Sequence, residues 1–265
     1  KNNEGEWVLL NGNQTALMFV YYLITRWKEL GKINGKEYIV KTIVTTETIK
    51  TIAERNGVEM YDVYTGFKWI ANVMRENEGK KNYIGGGEES YGFLCEDFVR
   101  DKDAVSACVI LAEIAAWAKD QGLSLYQLLQ KIYVEYGFSK EKGISVVKKG
   151  KSGAEEIEAM MKKFRENPLT EIAGSKVTYF YDYSTLKGKD YAENETVTLD
   201  MPTTSNVLQY FTEDNTKVSI RPSGTEPKIK FYCEVHSKVK SIDELPEAEK
   251  AAEEKINQIK ASLGI

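Results

Sequence analysis

The sequence predicts an α/β three-layer domain with a mainly parallel sheet, followed by an α+β domain with an antiparallel sheet and helices on one face. Strand-like and helix-like segments alternate through the first half of the chain, which is typical of parallel strands joined by helical crossovers. Near Gly137 the pattern changes to closely spaced strands around turn residues, which favours antiparallel pairing. The 265 residues suffice for two domains, which we expect at residues 12–140 and 141–265.

The first half contains predicted strands rich in β-branched and aromatic residues, and predicted helices with apolar residues at helical spacing. Gly31 ends the first helix, and Thr45 and Thr46 can cap the second. The predicted strands are residues 7–10, 38–44, 58–64 and 83–84. The predicted helices are residues 14–30, 47–55, 66–78, 101–121 and 123–136. Helix 101–121 is expected to be amphipathic and contains Val105, Val109, Ala112, Ile114 and Trp117.

The second half is predicted to begin with one or two antiparallel strands over residues 138–149. Ser152 is expected to cap a helix at 154–166 that stops before Pro168, and residues 184–204 are expected to be irregular. A hairpin is predicted around Glu213-Asp214-Asn215. The remaining predicted elements are the strands 177–183, 207–212, 218–221 and 229–235, and a final helix at 242–263.

Composition restricts the possible functions. A net charge of −4 argues against general nucleic-acid binding, and no apolar run is long enough to span a bilayer. Three well-separated cysteines make a disulfide framework or a cysteine metal site improbable, so we expect a reducing, cytoplasmic location. The single histidine, His236, is predicted to be a strand-end residue, which leaves serine–histidine chemistry little to use. The polar start without Met is expected of a fragment or a processed chain.

The loop between the last two predicted strands combines groups that bind phosphate. Arg221 offers a planar fork of donors. Ser223 and Thr225 offer hydroxyls, and Gly224 lets backbone N–H groups approach an anion closely. Two prolines restrict the loop, which reduces the entropy lost on binding. We predict a phosphate-binding loop, and a proline-bounded turn with a surface arginine accounts for this composition less well.

A glycine triplet leads from strand 83–84 into Glu88-Glu89-Ser90, and ligands of α/β sheets bind outside the carboxyl ends of strands. In an extended chain Glu88 and Ser90 point the same way and Glu89 points away. Glu88 and Ser90 are therefore predicted to contact sugar hydroxyls. The alternative, a glycine-rich surface loop with solvated acids, remains open from these residues alone. The triplet lacks the spacing of nucleotide-binding fingerprints.

Thr65-Gly66-Phe67-Lys68 follows strand 58–64 and opens a helix. Thr65 can cap this helix, its N-terminus at Gly66 attracts an anion, and Lys68 can reach a phosphate. On these residues alone, an ordinary threonine cap with an exposed lysine is the favoured interpretation.

Four motifs together resemble the alpha-D-phosphohexomutases, the phosphoglucomutase and phosphomannomutase family. Gly87–Gly92 resembles the family's sugar-recognition loop, and the segment from Arg221 to Pro227 is similar to its phosphate-binding loop. Thr65–Lys68 and Leu10–Gln14 look like parts of its third domain. The motifs occur in the family's order and span nearly the whole chain, so the chain is identified as the family's domains three and four. Residues 1–11 then correspond to a remnant strand of the preceding domain.

The resemblance implies a parent isomerase that interconverts sugar 1-phosphates and sugar 6-phosphates through a phosphoserine and a bisphosphorylated intermediate. It implies that Glu88 and Ser90 bind hydroxyls, that Arg221, Ser223, Gly224 and Thr225 hold the phosphate that is not transferred, and that Lys68 and Lys230 add positive charge. It also implies Mg²⁺ and a bisphosphorylated sugar activator in the parent enzyme. The family's phosphoserine motif and its Asp-x-Asp-x-Asp-Arg metal loop do not occur in this sequence. No catalytic residue and no metal ligand is therefore expected here, and the chain alone is expected to be inactive.

Two other functions remain as alternatives. One is a non-catalytic module that binds phosphosugars or other anions. The other is a nucleic-acid-binding fold, which the negative net charge and the lack of a basic aromatic face count against. The expected partners are a phosphosugar and the family's N-terminal domains, without nucleic acid or membrane. Glucose, mannose, pentose and amino sugars all remain possible substrates.

Overall fold

A mainly parallel sheet organises the first half of the chain. The computed structural model describes residues 1–148 and 150–265. Its first compact unit comprises residues 1–138 and 238–245, and its second comprises residues 139–237 and 246–265. In the first unit the strand order is β2-β1-β3-β4, with β1 parallel to β2 and β3, and β4 antiparallel to β3. These strands are β1 (Glu37–Thr42), β2 (Glu59–Val63), β3 (Asn82–Gly87) and β4 (Phe93–Cys95).

Helices cover this sheet because their apolar residues recur at helical spacing. The helices of the first unit are α1 (Gly12–Glu29), α2 (Thr48–Arg55), α3 (Phe67–Asn77), α4 (Ala104–Asp120) and α5 (Leu125–Tyr136), with a 3₁₀ turn at Ile242–Glu244. Helix α3 packs its Phe67, Ile70 and Met74 on Tyr38 and Val40 of β1. Helix α1, which is buried over most of its length, contacts β3, α2, α4 and α5. The core of this unit therefore lies on both sides of β1 and β3.

The second unit is built on a sheet with the strand order β5-β12-β11-β10-β7-β8-β9, and β6 pairs with β7. The pairs from β12 through β9 are antiparallel. Its strands are β5 (Phe138–Val147), β6 (Glu171–Ile172), β7 (Ser175–Asp182), β8 (Lys187–Asp190), β9 (Glu195–Thr198), β10 (Leu208–Thr212), β11 (Lys217–Pro222) and β12 (Lys228–Ser237). Its helices are α6 (Gly150–Glu166) and α7 (Leu245–Leu263). Phe164 of α6 packs on Phe231 of β12.

The predicted fold class is confirmed, since a mainly parallel sheet with helices precedes an antiparallel sheet with helices. The hairpin predicted around Glu213-Asp214-Asn215 is present as β10 and β11. Several local predictions were wrong. Residues 7–10 lie outside every strand, because no strand in residues 1–148 or 150–265 pairs with them. Residues 184–204 contain the hairpin β8–β9, whose strands show little apolar alternation.

The prediction of one or two strands over residues 138–149 is met by the single strand β5, and Lys149, with which the prediction ended, lies outside the described residues. Two further predictions need correction. Helix α6 begins at Gly150, so Ser152 lies inside its first turn and does not precede it. The N-cap of α2 is Glu47, although the hydroxyl of Thr46 accepts from the Thr48 N–H at 3.4 Å. No helix among the described residues is long and apolar enough to cross a membrane.

A buried ion cluster joins β11 and β12 in the second unit. Lys217 Nζ lies 2.9 Å from Glu234 Oε2, and Glu234 Oε1 lies 2.8 Å from His236 Nε2. Burial alone raises the pKa of Glu234, but the charges of Lys217 and His236 outweigh burial and hold the pKa well below its ordinary 4.5. Burial alone lowers the pKa of His236, but the charges of Glu234 and Glu141 outweigh both burial and the opposing charge of Lys217, and raise it above 6.5. Protonated His236 and ionised Glu234 therefore stabilise the folded unit.

This cluster predicts a pH dependence of stability. The contribution of His236 is fully present below about pH 6.5, the ordinary histidine pKa, and is lost as pH rises through the raised folded value. The free energy of unfolding, measured by urea denaturation, should therefore fall from pH 6 to pH 9. His236→Gln should flatten this fall because its side chain does not titrate. Equal slopes for the wild type and the variant would contradict the prediction.

Candidate functional site

The loop after β3 is shaped by close backbone contacts that only glycine permits. A Cβ atom on Gly86 would lie 2.3 Å from the carbonyl oxygen of Val40, and one on Gly87 would lie 2.6 Å from that of Gly92. Glu88 N–H donates to the Gly92 carbonyl at 2.8 Å, which closes the loop on itself. Tyr91 adopts a left-handed φ of 71° within it. The glycine triplet therefore brings Glu88 against the end of the sheet.

Glu88 binds the start of helix α3. Its Oε1 accepts from the Gly66 N–H at 2.8 Å. Gly66 is the N-cap of α3 with φ 111°, and this glycine has no side chain with which to cap the helix. The prediction that Thr65 caps α3 is therefore wrong, because Gly66 occupies the N-cap position and its N–H donates to the Glu88 carboxylate. The helix N-terminus does attract an anion, but this anion belongs to the protein.

Glu89 contacts a different part of the unit from Glu88, although residues 89 and 90 form a turn and not the extended segment that the sequence predicted. Its Oε2 lies 3.5 Å from the hydroxyl of Thr42 at the end of β1, and that hydroxyl contacts the Thr45 hydroxyl at 2.8 Å. Ser90 is exposed. The two glutamates therefore anchor the loop on two sides, at the end of β1 and at the start of α3, and Ser90 remains on the surface.

Two lysines flank this loop. Lys68 Nζ lies 5.0 Å from the centre of the Trp69 ring, and Lys102 Nζ lies 5.8 Å from that of Phe67. A Cβ atom on Gly92 would lie 3.0 Å from Lys102 Cδ and 3.2 Å from Glu88 Oε2. Lys102 therefore runs beside the Glu88 carboxylate. Lys102 follows the loop in an ordinary charged segment and belongs to no recognised motif, so its sequence context gave no sign of this position.

The first turn of α1 packs directly on the same loop. A Cβ atom on Gly12 would lie only 2.0 Å from the Glu89 carbonyl oxygen and 2.7 Å from the Tyr91 nitrogen. Tyr91 Oη donates to the Leu10 carbonyl at 2.9 Å, and Asn13 Oδ1 accepts from the Thr46 N–H at 3.0 Å. An open hollow of about 10 Å³, no larger than one water molecule, lies between α1 and the loop and is lined by Gly12 and Glu88 among others. The conformation of the loop therefore depends on the position of α1.

In the second unit, Arg221 and Lys230 are directly opposite each other on β11 and β12. Opposite residues of an antiparallel pair share one face of the sheet, and like charges there are unfavourable by roughly 0.2–1 kcal/mol. Within residues 1–148 and 150–265, no carboxylate forms an ion pair with Arg221. Lys230 lies 5.9 Å from the Tyr232 ring. Two half-buried cations thus share one face, an arrangement that an anion would stabilise.

The loop beside these cations is held by its own backbone. Ser223 N–H donates to the Lys228 carbonyl at 2.8 Å, and Thr225 N–H approaches Ser223 Oγ at 3.4 Å. Gly224 is exposed with no atom within 4 Å of its Cβ position. Its N–H has no acceptor among the described residues. The carbonyl oxygen of Pro227 accepts from Lys148 N–H at 2.9 Å, which ties the loop to the segment after β5.

The structure brings together some of the residues predicted for the site. Gly66 and Glu88 are hydrogen-bonded, Arg221 faces Lys230, and Ser223 approaches Thr225. Lys68 is turned onto Trp69. The predicted hydroxyl-binding residues lie in the first unit and the predicted phosphate-binding loop lies in the second.

Family comparisons match both units. Residues 11–136 match the phosphoglucomutase/phosphomannomutase alpha/beta/alpha domain III, and residues 145–252 match the C-terminal domain of the same family. Phosphoglucomutase of Staphylococcus aureus (strain bovine RF122 / ET3-1) is 37% identical over 86% of this chain and 40% of its own length. That of Staphylococcus haemolyticus is 33% identical over 89% of this chain and 42% of its own length. The chain therefore spans about two-fifths of the length of these relatives.

Solved structures share the fold. The Paramecium phosphoglucomutase pp63/parafusin aligns with a TM-score of 0.56 and 16% identity over 95% of this chain and 42% of its own. A phosphoglucomutase/phosphomannomutase family protein of Burkholderia thailandensis aligns with a TM-score of 0.56 and 15% identity over 97% of this chain and 43% of its own.

The close contact of Gly12 predicts a specific sensitivity to substitution. Gly12→Ala would press a methyl group into the Glu89 carbonyl, so the free energy of unfolding should fall by about 1–3 kcal/mol in urea denaturation. Gly143→Ala is the matched control, because no atom lies within 4 Å of its Cβ position and its φ is not left-handed. Equal destabilisation by both substitutions would contradict the close packing of α1 on the loop.

Proposed function

Because this chain belongs to the phosphoglucomutase/phosphomannomutase family and corresponds to its domain III and C-terminal domain, we propose that it forms the sugar- and phosphate-binding part of a phosphohexomutase. The observation that carries the proposal is the pairing of Arg221 with Lys230 beside the loop from Ser223 to Thr225. Two cations on one sheet face, next to an exposed glycine N–H, are suited to a phosphate dianion.

In this proposal the second unit holds the phosphate that does not react. The Arg221 guanidinium donates two parallel hydrogen bonds to phosphate oxygens, and the hydroxyls of Ser223 and Thr225 and the Gly224 N–H complete the contacts. Lys230 adds charge from the opposite strand. Phosphoryl transfer depends on positioning and on charge stabilisation. Holding the phosphate that is not transferred would therefore position the other end of the sugar, where the transfer takes place.

The first unit would bind the sugar. Glu88, fixed by the Gly66 N–H, would keep its second carboxylate oxygen as an acceptor for a sugar hydroxyl, and Ser90 would offer an exposed hydroxyl from the same loop. Lys68 and Lys102 would supply positive charge around the loop. The curated relatives named above are phosphoglucomutases, which favours glucose phosphates as substrates of the parent enzyme.

The reacting groups would come from elsewhere in a full-length enzyme. The family resemblance implies a phosphoserine, Mg²⁺ and a bisphosphorylated sugar activator, and the phosphoryl group would pass between serine and sugar there. Among the described residues, no group of three or more His, Cys, Asp or Glu could hold a metal ion. We propose a cytoplasmic location for the parent enzyme because Cys95, Cys108 and Cys233 are all free thiols.

Removal of the Arg221 guanidinium tests the phosphate site. Arg221→Ala should weaken the binding of glucose 1-phosphate or inorganic phosphate, measured by calorimetry, by roughly 10- to 100-fold, which corresponds to about 1.5–3 kcal/mol for hydrogen bonds to a charged group. Arg26→Ala, which removes the same charge from the exposed end of α1, should leave the affinity unchanged. Unchanged affinity in Arg221→Ala would place the phosphate site elsewhere.

The division of labour between this chain and the rest of the enzyme predicts that the chain alone has no turnover. In a coupled assay with Mg²⁺, the pure chain should convert glucose 1-phosphate to glucose 6-phosphate no faster than a blank. Phosphoglucomutase of Staphylococcus aureus, in the same assay, serves as the positive control. Metal-dependent turnover by the pure chain would contradict this prediction and would show that it contains its own phosphoryl acceptor.

A further inference from the structure

A third cation, Lys228, lies beside the two cations of the proposed phosphate site. Side chains two residues apart on a strand point to the same face, so Lys228 and Lys230 of β12 share one face of the sheet. Arg221 is directly opposite Lys230 on that face. The Ser223 N–H donates to the Lys228 carbonyl at 2.8 Å, which continues the pairing of β11 and β12 to the loop. Lys228 therefore stands next to Lys230, at the position nearest the loop.

Lys228 differs from the other two cations because it has a carboxylate partner. Its Nζ lies 2.6 Å from Glu226 Oε2, and its N–H donates to the Glu226 carbonyl at 2.7 Å. The hydrogen bond and the charge of Lys228, with a smaller effect of the charge of Lys230, hold the pKa of the Glu226 carboxyl below its ordinary 4.5. The Glu226 carboxylate is therefore ionised at neutral pH and interacts with both lysines.

An ordinary surface ion pair is the simplest interpretation of this contact. Such pairs are common and contribute little to stability, and the pair of Lys162 with Glu166 on α6, with side chains 71% and 60% exposed, is an example. The Lys228 side chain is only 25% exposed. Within residues 1–148 and 150–265, no carboxylate forms an ion pair with its neighbours Arg221 and Lys230. A surface pair does not account for this concentration of positive charge beside a half-buried lysine.

We propose that Lys228 is a third phosphate-binding cation and that the Glu226 carboxylate occupies it until a phosphate takes its place. In the free loop, Glu226 reduces the repulsion among three cations. A phosphate monoester carries a charge of about −1.5 to −2 and has three acceptor oxygens, so it neutralises these cations better than one carboxylate does. The Glu226 side chain is 61% exposed, so the displaced carboxylate is readily hydrated. This inference rests on the proposed function and adds an internal competitor to the phosphate site.

Removal of the competing carboxylate tests the first part of the proposal. Glu226→Gln should raise the affinity for inorganic phosphate, measured by calorimetry at neutral pH, by roughly two- to fivefold, the range expected for one exposed charge pair. Glu166→Gln removes the same charge from α6, which packs through Phe164 on Phe231, a residue of the other face of β12. This control should leave the affinity unchanged. An unchanged or lower affinity in Glu226→Gln would overturn the proposal.

The second part is tested where Lys228 no longer has a carboxylate to neutralise. In the Glu226→Gln background, Lys228→Gln should weaken phosphate binding by at least roughly tenfold, because a hydrogen bond between charged groups is lost. If Lys228 served only to neutralise Glu226, the second substitution would have no effect, and that result would overturn the proposal. Lys162→Gln in the Glu166→Gln background is the matched control and should bind phosphate as the wild type does.

Two further measurements separate binding from folding. The urea midpoints of the variants should match that of the wild type, since an exposed ion pair contributes little to stability. Lys228→Arg in the Glu226→Gln background keeps the charge and should retain most of the phosphate affinity, and a loss as large as in Lys228→Gln would overturn the proposal. Loss of binding in Arg221→Ala together with unchanged affinity in Glu226→Gln would overturn only this inference. Absence of phosphate binding by the wild-type chain would overturn the proposed function as well.

Discussion

The close backbone packing around Glu88 is the constraint on which the candidate sugar-binding loop depends. Gly86, Gly87 and Gly12 each stand where a Cβ atom would lie under 3 Å from a carbonyl oxygen. β3 can therefore reach the end of β1, and α1 can reach the loop, only with glycine at these positions. Because β3 packs closely on β1 and α1 packs closely on the loop, the Glu88 carboxylate contacts the N-terminus of α3. The Gly66 N–H and the helix dipole stabilise its charge there. The close backbone contacts at these glycines therefore determine where the Glu88 side chain lies.

Much of this architecture could be predicted from the sequence, and the failures have physical causes. The loops at Glu88 and Arg221 were located because polar residues beside glycine or proline follow strands. The bond from Gly66 to Glu88 could not be predicted, since it joins the ends of two elements that meet only in the folded unit. Periodicity identified helix α4 but gave no sign that Val105 and Val109 would face solvent. The apolar periodicity of a sequence does not show which of its apolar residues are buried within the same chain.

The hairpin β8–β9 is an element that the sequence did not predict at all. Strand β9 (Glu195–Thr198) is the edge strand and is largely exposed, whereas β8 (Lys187–Asp190) lies between β7 and β9 and is mostly half-buried. Neither strand buries a large apolar side chain, so the sequence shows weak alternation, and the backbone ladders of β8 to β7 and to β9 reveal the hairpin. Residues 184–204 therefore resembled an irregular loop. The candidate site was easier to find than this hairpin because anion-binding groups have a distinctive composition and edge strands do not.

Strands β11 and β12 pair opposite charges at one end and like charges at the other. Lys217, Ser219 and Arg221 alternate along β11 and so share one face, opposite Glu234, Tyr232 and Lys230 on β12. At one end Lys217 and Glu234 form a buried pair in which each charge neutralises the other. At the other end Arg221 and Lys230 are both positive and half-buried, so the folded unit leaves this charge to a ligand or to solvent. The buried end, where Lys217 and His236 both contact Glu234, holds the two strands in register, so Arg221 and Lys230 stay side by side although both are positive.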